Sequence, residues 1–320
     1  LIAPMSYAAF AYAGVVVYRY FSEERAKQMV RKMFSTMVSP DVLAYMEENP
    51  DSFSLRGQRA EATIMFSDVA GFTSISEKLA PEDLTRLLNR YFTAMTDIIM
   101  RTGGYVDKYE GDAIMAEWGV PYPDPQHAVA ACLSAIEQQA GIDTLRTELT
   151  REFGVDVYVR MGLSSGFVSA GNMGSNRRFQ YTVMGDTVNQ AARFEPANKD
   201  YGTRIIICAK TQQLAADRVE TRLLDQLIVT GKTEPIRIYE LIAPKGEASP
   251  DQRKAAQLYE DALRLHWERR WDDAEETLRL ALRVRKDDTP SLHLLERIAL
   301  YRREPPAENW QGEFVRGTKD

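Results

Sequence analysis

Short apolar runs and helical spacings alternate along the middle of the chain. Segment 62–67 is a short apolar run, which predicts a buried strand, and the valines of segment 155–159 alternate with other residues as in a second strand. Between them, apolar residues recur at three- and four-residue steps over 84–99, the pattern of one helix face. The central part of the chain is therefore predicted to alternate strands and helices.

The order of these segments predicts a fold class. Two strands, 105–108 and 113–118, are predicted to flank a tight turn, and a second helix is predicted to follow the proline-rich segment 121–125. Further strands are predicted at 205–208, 227–230 and 236–241. The order βαββαβ predicts an α+β domain of the ferredoxin-like type over residues 61–243, an antiparallel sheet with helices on one face. Gly171–Gly174 has the composition of a turn, and a β-hairpin is the alternative.

The first 18 residues contain no charged side chain. At about 1.5 Å per residue they would span about 27 Å as a helix, close to the thickness of a bilayer core. Tyrosine and then several basic residues follow, which favours the C-terminal part of a transmembrane helix with everything downstream in the cytoplasm. We therefore predict a cell-membrane protein with a single visible span. A signal peptide and a buried core helix are the alternatives.

Residues 19–60 are predicted to form a juxtamembrane signalling helix and a linker. Ala26, Val30, Met33 and Met37 recur at three- and four-residue steps. This stripe fits an amphipathic helix packed on its own domain, and it equally fits a parallel two-stranded coil that joins two chains.

The segment 251–320 follows a linker at 244–250 and is predicted to be helical. Three helical stretches are expected near 251–268, 271–286 and 289–303, with small and bulky residues spaced as in a tetratricopeptide-like hairpin repeat. One such unit buries its apolar face poorly, so we expect it to dock on the central domain or on a partner protein. A plain helical extension is the alternative.

Composition excludes several kinds of site. Forty basic and 46 acidic residues give the 320-residue chain a net charge of -6, which argues against a nucleic-acid partner. Two distant cysteines and three histidines supply neither a disulfide framework nor a zinc site. The GxxxxGK[ST] and GxGxxG phosphate loops and the protein-kinase motifs are also absent.

Three segments carry candidate chemistry. In FSDVAGFT, Asp68 ends a predicted strand and a glycine then permits a sharp turn. In KYEGD, Asp112 lies in a predicted β-turn. In the segment 177–193, Asn189 and Arg193 are four residues apart and so share one helix face.

Paired carboxylates without histidine or cysteine suit hard ions such as Mg²⁺. Two such ions can polarise a phosphate and activate an attacking oxygen, and nearby arginine and asparagine can stabilise the developing charge. A helix cap, a turn residue and a surface ion pair would explain Asp68, Asp112 and Arg193 one at a time. The combination favours phosphoryl or nucleotidyl transfer.

The motifs FSDVAGFT, KYEGD and YTVMGDTVNQAAR together resemble the class III nucleotidyl cyclase family over about residues 60–243, in particular the membrane-bound bacterial adenylate cyclases with an upstream sensor domain. The resemblance implies a homodimer with two equivalent active sites, each shared between head-to-tail catalytic domains. It implies two Mg²⁺ or Mn²⁺ ions per site, held by Asp68, the carbonyl group of Val69 and Asp112.

The same resemblance implies roles for four further residues. From the opposite protomer, Asn189 would orient the ribose and Arg193 would stabilise the transition state. Arg177 and Lys232 would hold the terminal phosphates of the nucleotide. No side chain stands out as a general base.

The resemblance also bears on the choice of base. Adenine-selective members carry lysine at the position of Lys108 and aspartate or threonine at that of Thr182, whereas guanine-selective members usually carry glutamate and a small residue such as cysteine. A lysine can donate to adenine N1, and a hydroxyl group can accept from the adenine amino group. The implied reaction is conversion of ATP to 3′,5′-cyclic AMP and pyrophosphate. A guanylate cyclase and a catalytically silent nucleotide-binding or scaffold module are the alternatives.

Overall fold

A computed structural model describes Glu48 and residues 57–175, 178–228 and 235–315. The predicted transmembrane segment 1–18, the stripe at 26–37, Arg177 and Lys232 lie outside these residues. No helix within the described residues is both long and apolar enough to cross a membrane.

The strands within the described residues form one mixed sheet. They are β1 (Gln58–Val69), β2 (Tyr105–Glu110), β3 (Ala113–Trp118), β4 (Val159–Ser175), β5 (Arg178–Met184), β6 (Ile205–Cys208), β7 (Val219–Ile228), β8 (Ile236–Pro244) and β9 (Glu313–Val315). Their order across the sheet is β2-β3-β1-β4-β6-β8-β7-β9, and β5 pairs with the C-terminal half of β4, residues 169–175.

The helices connect these strands and extend beyond them. They are α1 (Phe72–Lys78), α2 (Pro81–Arg101), α3 (His127–Phe153), α4 (Asp186–Tyr201), α5 (Ala209–Ala215), α6 (Pro250–Trp267), α7 (Trp271–Val284) and α8 (Thr289–Arg303). Strands β1 to β4 with α2 and α3 form the predicted βαββαβ unit, in which neighbouring strands are antiparallel. The bounds predicted for its fourth strand, 155–159, are wrong, because β4 begins only at Val159.

The prediction that helices cover one face of an antiparallel sheet is wrong in two respects. Pairs β4–β6 and β7–β9 are parallel. Helices also cover both faces, as β4 shows. Met161 and Leu163 belong to the core under α2 and α3, whereas a Cβ atom on Gly162 would lie 2.4 Å from the Ala191 carbonyl oxygen of α4. Glycine at 162 therefore lets the backbone of α4 lie directly on the second face.

The first core lies between the sheet and the long helices α2 and α3. Tyr91 and Met95 of α2, Ile142 of α3 and Met65 of β1 are all buried in it. The apolar spacing of α2 follows from this packing, since its buried residues recur on one side.

A β-hairpin was the alternative to a turn for Gly171–Gly174, and the structure forms that hairpin from β4 and β5. Gly171–Gly174 is not a turn: it belongs to β4, with Gly171 opposite Thr182 and Gly174 opposite Phe179. The hairpin reaches over β2, where the Tyr105 hydroxyl donates to the Tyr181 carbonyl oxygen at 3.4 Å. The hairpin thereby covers the second face of the sheet at its β2–β3 edge.

The C-terminal helices close the rest of the second face. Phe194 and Tyr201 of α4 and Ile238 of β8 form a second core with Tyr259 of α6 and Leu294 of α8. Full burial of side chains of this size contributes about 1.5–3 kcal/mol each. Strand β9 then pairs with β7, so the described residues of 57–175, 178–228 and 235–315 form one compact unit.

Ion pairs also join the C-terminal helices to strand β7 of the sheet. Arg222 of β7 donates to both carboxylate oxygens of Asp288 at 2.8 and 2.9 Å, and Arg297 of α8 pairs with the buried Asp225. The three helices begin and end close to the predicted stretches, and they dock on the central domain.

Candidate active site

Two turns bring the carboxylates Asp68 and Asp112 together. Asp68 precedes the last residue of β1, and Gly71 then takes a left-handed conformation with φ of 73°. Asp112 lies in the β2–β3 turn after Gly111, whose φ is 66°. Because β1 and β3 are antiparallel neighbours, the two turns meet, and the Val69 amide donates to Asp112 Oδ2 at 3.1 Å.

The electrostatics of this pair favour a cation. Burial, and secondly the hydrogen bond and charge of Asp68, raise the pKa of Asp112 to about 7. Neither carboxylate forms an ion pair with a Lys, Arg or His residue in the described part of the chain. No cluster of three or more His, Cys, Asp or Glu side chains suited to a metal occurs among the described residues. The donor set is thus two hard carboxylates that repel each other.

The pair Lys108 and Thr182 lies on the second face of the sheet. Lys108 Nζ is 3.5 Å from Thr182 Oγ1 across β2 and β5. The lysine is half-buried, and the threonine, which belongs to strand β5 of the hairpin, is buried. Residues that are 74 positions apart in sequence thus place an ammonium donor beside a hydroxyl group.

Two further residues at this pair were not among the sequence candidates. Asp107 accepts from the Thr182 hydroxyl, and its Oδ1 accepts from Gln180 Nε2 at 2.9 Å. Asp107 Oδ1 is also 3.5 Å from Lys108 Nζ. The available signal was two consecutive polar residues, 107 and 108, inside an alternating strand.

Helix α4 carries the other predicted catalytic residues. Asn189 is exposed in the first turn of α4, and Arg193 is half-buried one turn later. Within the residues described, neither side chain is hydrogen-bonded or ion-paired to Asp68, Asp112, Lys108 or Thr182. A single chain therefore brings Asp68 and Asp112 together, and it separately brings Lys108 and Thr182 together. Within the described residues, neither pair is bonded to Asn189 or Arg193.

Comparisons with known proteins identify the family to which the chain belongs. Residues 56–243, more than half of the chain, match the family described as the adenylate and guanylate cyclase catalytic domain. The chain belongs to this family, which confirms the predicted resemblance.

Individual relatives include cyclases of both base preferences. Adenylate cyclase 1 of Rhizobium meliloti is 33% identical over 184 residues, which are 58% of this chain and 28% of that protein. The adenylyl cyclase CyaB from P. aeruginosa superimposes with a TM-score of 0.56 at 33% identity, covering 61% of this chain and 100% of that one. The guanylyl cyclase Cya2 superimposes with a TM-score of 0.55 at 32% identity, covering 61% of this chain and 98% of that one. The chain thus spans less than a third of the length of the Rhizobium relative.

Proposed function

We propose that this chain is an adenylate cyclase, which converts ATP to 3′,5′-cyclic AMP and pyrophosphate. The observation that carries the proposal is the Lys108–Thr182 pair, with its ammonium and hydroxyl groups 3.5 Å apart. An ammonium group can donate to adenine N1 while the neighbouring hydroxyl oxygen accepts from the adenine amino group. The similarity to the adenylate cyclase of Rhizobium meliloti supports the same reaction.

The carboxylate pair is proposed to hold two Mg²⁺ or Mn²⁺ ions, with the carbonyl group of Val69 as a further ligand. The raised pKa of Asp112 supports this assignment, because a nearby cation would relieve the repulsion from Asp68. Such ions, when bound, acidify the ribose 3′-hydroxyl and neutralise the triphosphate. Asp68 and Asp112 would then place the nucleotide so that its 3′-oxygen faces the α-phosphorus.

A homodimer with two shared sites is proposed to complete the active site. Within the described part of one chain, Asn189 and Arg193 make no bond to the carboxylate pair. We propose that the Asn189 and Arg193 of a second chain complete the site at the carboxylates of the first. Asn189 would orient the ribose, and Arg193 would stabilise charge on the transferring phosphate. On the sequence pattern alone, Arg177 and Lys232 would bind the terminal phosphates.

A guanylate cyclase is the second candidate. Its support is that the guanylyl cyclase Cya2 superimposes about as well as the adenylyl cyclase CyaB, with TM-scores of 0.55 and 0.56. The fold therefore does not distinguish an adenine-specific from a guanine-specific cyclase, and the assignment of the base depends on Lys108 and Thr182. A silent nucleotide-binding or scaffold module is disfavoured, because every family position discussed above is filled in this chain.

The test is cyclic nucleotide formation by the purified chain with ATP or GTP, in Mg²⁺ and in Mn²⁺. We expect cyclic AMP from ATP, and its loss in Asp112→Ala. Asp143→Ala is the matched control, since Asp143 is an exposed carboxylate on α3 that pairs with Arg204. Cyclic GMP as the main product would favour the second candidate, and no product with either nucleotide would contradict both.

The N-terminal segment is proposed to attach the protein to the cell membrane, with the catalytic domain in the cytoplasm. The support is the uncharged run of residues 1–18 and the basic residues that follow it. Cosedimentation with lipid vesicles should be lost when residues 1–18 are deleted, and its persistence would contradict this role. The helical tail packs on the catalytic domain, and a further protein partner for it stays a proposal.

A further inference from the structure

Strand β2 is irregular where it carries the base-reading lysine. Val106 lies opposite Ala116 and Lys108 lies opposite Met115, so Asp107 is an extra residue with no partner of its own on β3. Such a bulge interrupts the alternation of side chains along a strand. Asp107 consequently lies on the same side as Lys108, with its side chain fully buried while that of Lys108 is 30% exposed.

Asp107 determines where the hydroxyl proton of Thr182 points. Threonine has one hydroxyl proton to donate and two lone pairs that accept. Thr182 donates that proton to Asp107 Oδ2, and the other oxygen of Asp107 is held by Gln180 and lies near Lys108. A carboxylate can only accept in this contact, so the Thr182 oxygen acts as an acceptor on its other side. One of its lone pairs accepts from Lys108 Nζ at 3.5 Å, and the second is left for a ligand that donates.

We propose that Asp107 is a specificity-determining positioning residue, which fixes Thr182 as a hydrogen-bond acceptor and so favours the amino group of adenine over the carbonyl group of guanine. The inference rests on the proposed function and concerns the same site. Asp107 acts through Thr182 and Lys108 and does not itself contact the base.

Glu117 of β3 explains how Asp107 stays an acceptor. Glu117 is completely buried opposite Tyr105, and neither of its oxygens has a hydrogen-bond partner among the residues described. Burial, and secondly the negative charge of Asp107, hold the pKa of Glu117 well above its usual range. The neutral form of Glu117 is therefore favoured, and the ammonium group of Lys108, 3.5 Å from Asp107 Oδ1, lies beside the carboxylate that accepts from Thr182.

The first test is the ratio of kcat/KM for ATP to kcat/KM for GTP in Asp107→Asn. The amide of asparagine can donate to Thr182, which would turn the hydroxyl proton toward the ligand. We expect the ratio to fall by about 10- to 100-fold, mostly through KM for ATP. Asp225→Asn, compared as folded protein, is the matched control: Asp225 is another fully buried carboxylate of the sheet, and it accepts from the Tyr201 hydroxyl and pairs with Arg297, away from Lys108 and Thr182. Its ratio should not change.

A second variant separates positioning from simple stabilisation. In a Thr182→Val background there is no hydroxyl group to orient, so Asp107→Asn should lower the ratio no further. An equal further loss in that background would overturn the inference. Glu117→Gln, which mimics the protonated acid, should lower the ratio less than Asp107→Asn does; an equal loss would contradict a proton on Glu117.

These outcomes are distinct from failure of the proposed function. If the unsubstituted chain forms cyclic AMP and a folded Asp107→Asn variant keeps its ratio, the inference fails and the function stands. If the unsubstituted chain forms no cyclic nucleotide, the proposed function fails. Calorimetry with non-cyclisable ATP and GTP analogues then decides the inference. The quantity compared is the ratio of the two dissociation constants, in the unsubstituted chain and in Asp107→Asn.

Discussion

Replacing Arg297 by methionine should destabilise the junction between the tail and the catalytic domain. Arg297 is 9% exposed, pairs with the fully buried Asp225, and lies over the ring of Phe314 at 4.5 Å. Methionine keeps most of the apolar stem but removes the charge. Asp225 would then retain the Tyr201 hydroxyl at 3.1 Å and one backbone amide, without a cation. Leaving a buried carboxylate without its cation costs about 3–5 kcal/mol.

The double variant Arg297→Met with Asp225→Asn provides the comparison. It removes the uncompensated charge as well, so it should recover about 2 kcal/mol or more of the loss. The free energies of unfolding would be measured by urea titration, followed by circular dichroism and by tryptophan fluorescence. The reasoning is refuted if the single variant loses less than about 1 kcal/mol, or if the double variant is no more stable than the single one.

Two further predictions concern the shared site and the tail. Mixing Asp68→Ala with Arg193→Ala chains should restore up to about a quarter of normal cyclase activity, because half of randomly formed dimers contain one intact composite site; no recovery would argue against sites shared between protomers. Burial, and secondly the charge of Arg297, lower the pKa of His266 to about 3 in the folded protein. Between that pH and about 6.5, His266 is protonated in the unfolded chain but not in the folded one, so the free energy of unfolding falls as the pH falls. From pH 7 to pH 5 this residue should therefore cost about 2 kcal/mol of stability, measured as the difference in urea titrations between the unsubstituted chain and His266→Phe, which keeps a ring against Tyr301; equal pH slopes would contradict this account.

Much of the fold was predictable because its signals are local. The spacing of apolar residues over 84–99 predicts the buried side of α2, and the βαββαβ order of the first four strands follows from segments read one at a time. The sequence also marks Asp68 and Asp112, because each carboxylate lies within three residues of a glycine that permits a tight turn.

Parts of the site were missed because their signal was weak. Asp107 follows Val106 in a short strand, and Glu117 is a single acidic residue within an apolar run. A polar residue in a strand normally indicates a solvent-facing side chain. Here a bulge and the covering hairpin bury both residues, and neither feature has a reliable local pattern.

The sequence by itself determined the βαββαβ order, the buried side of α2, the approximate bounds of the three C-terminal helices, and which residue types could bind metal and nucleotide. The tertiary structure alone decided that helices cover both faces of the sheet, that the β4–β5 hairpin brings Thr182 beside Lys108, and that the tail docks through Arg297 and Asp225. The last two of these depend on contacts between residues 74 and 72 positions apart. Periodicity and turn composition report only on neighbours along the chain, whereas burial on a chosen face is set by what packs there from elsewhere.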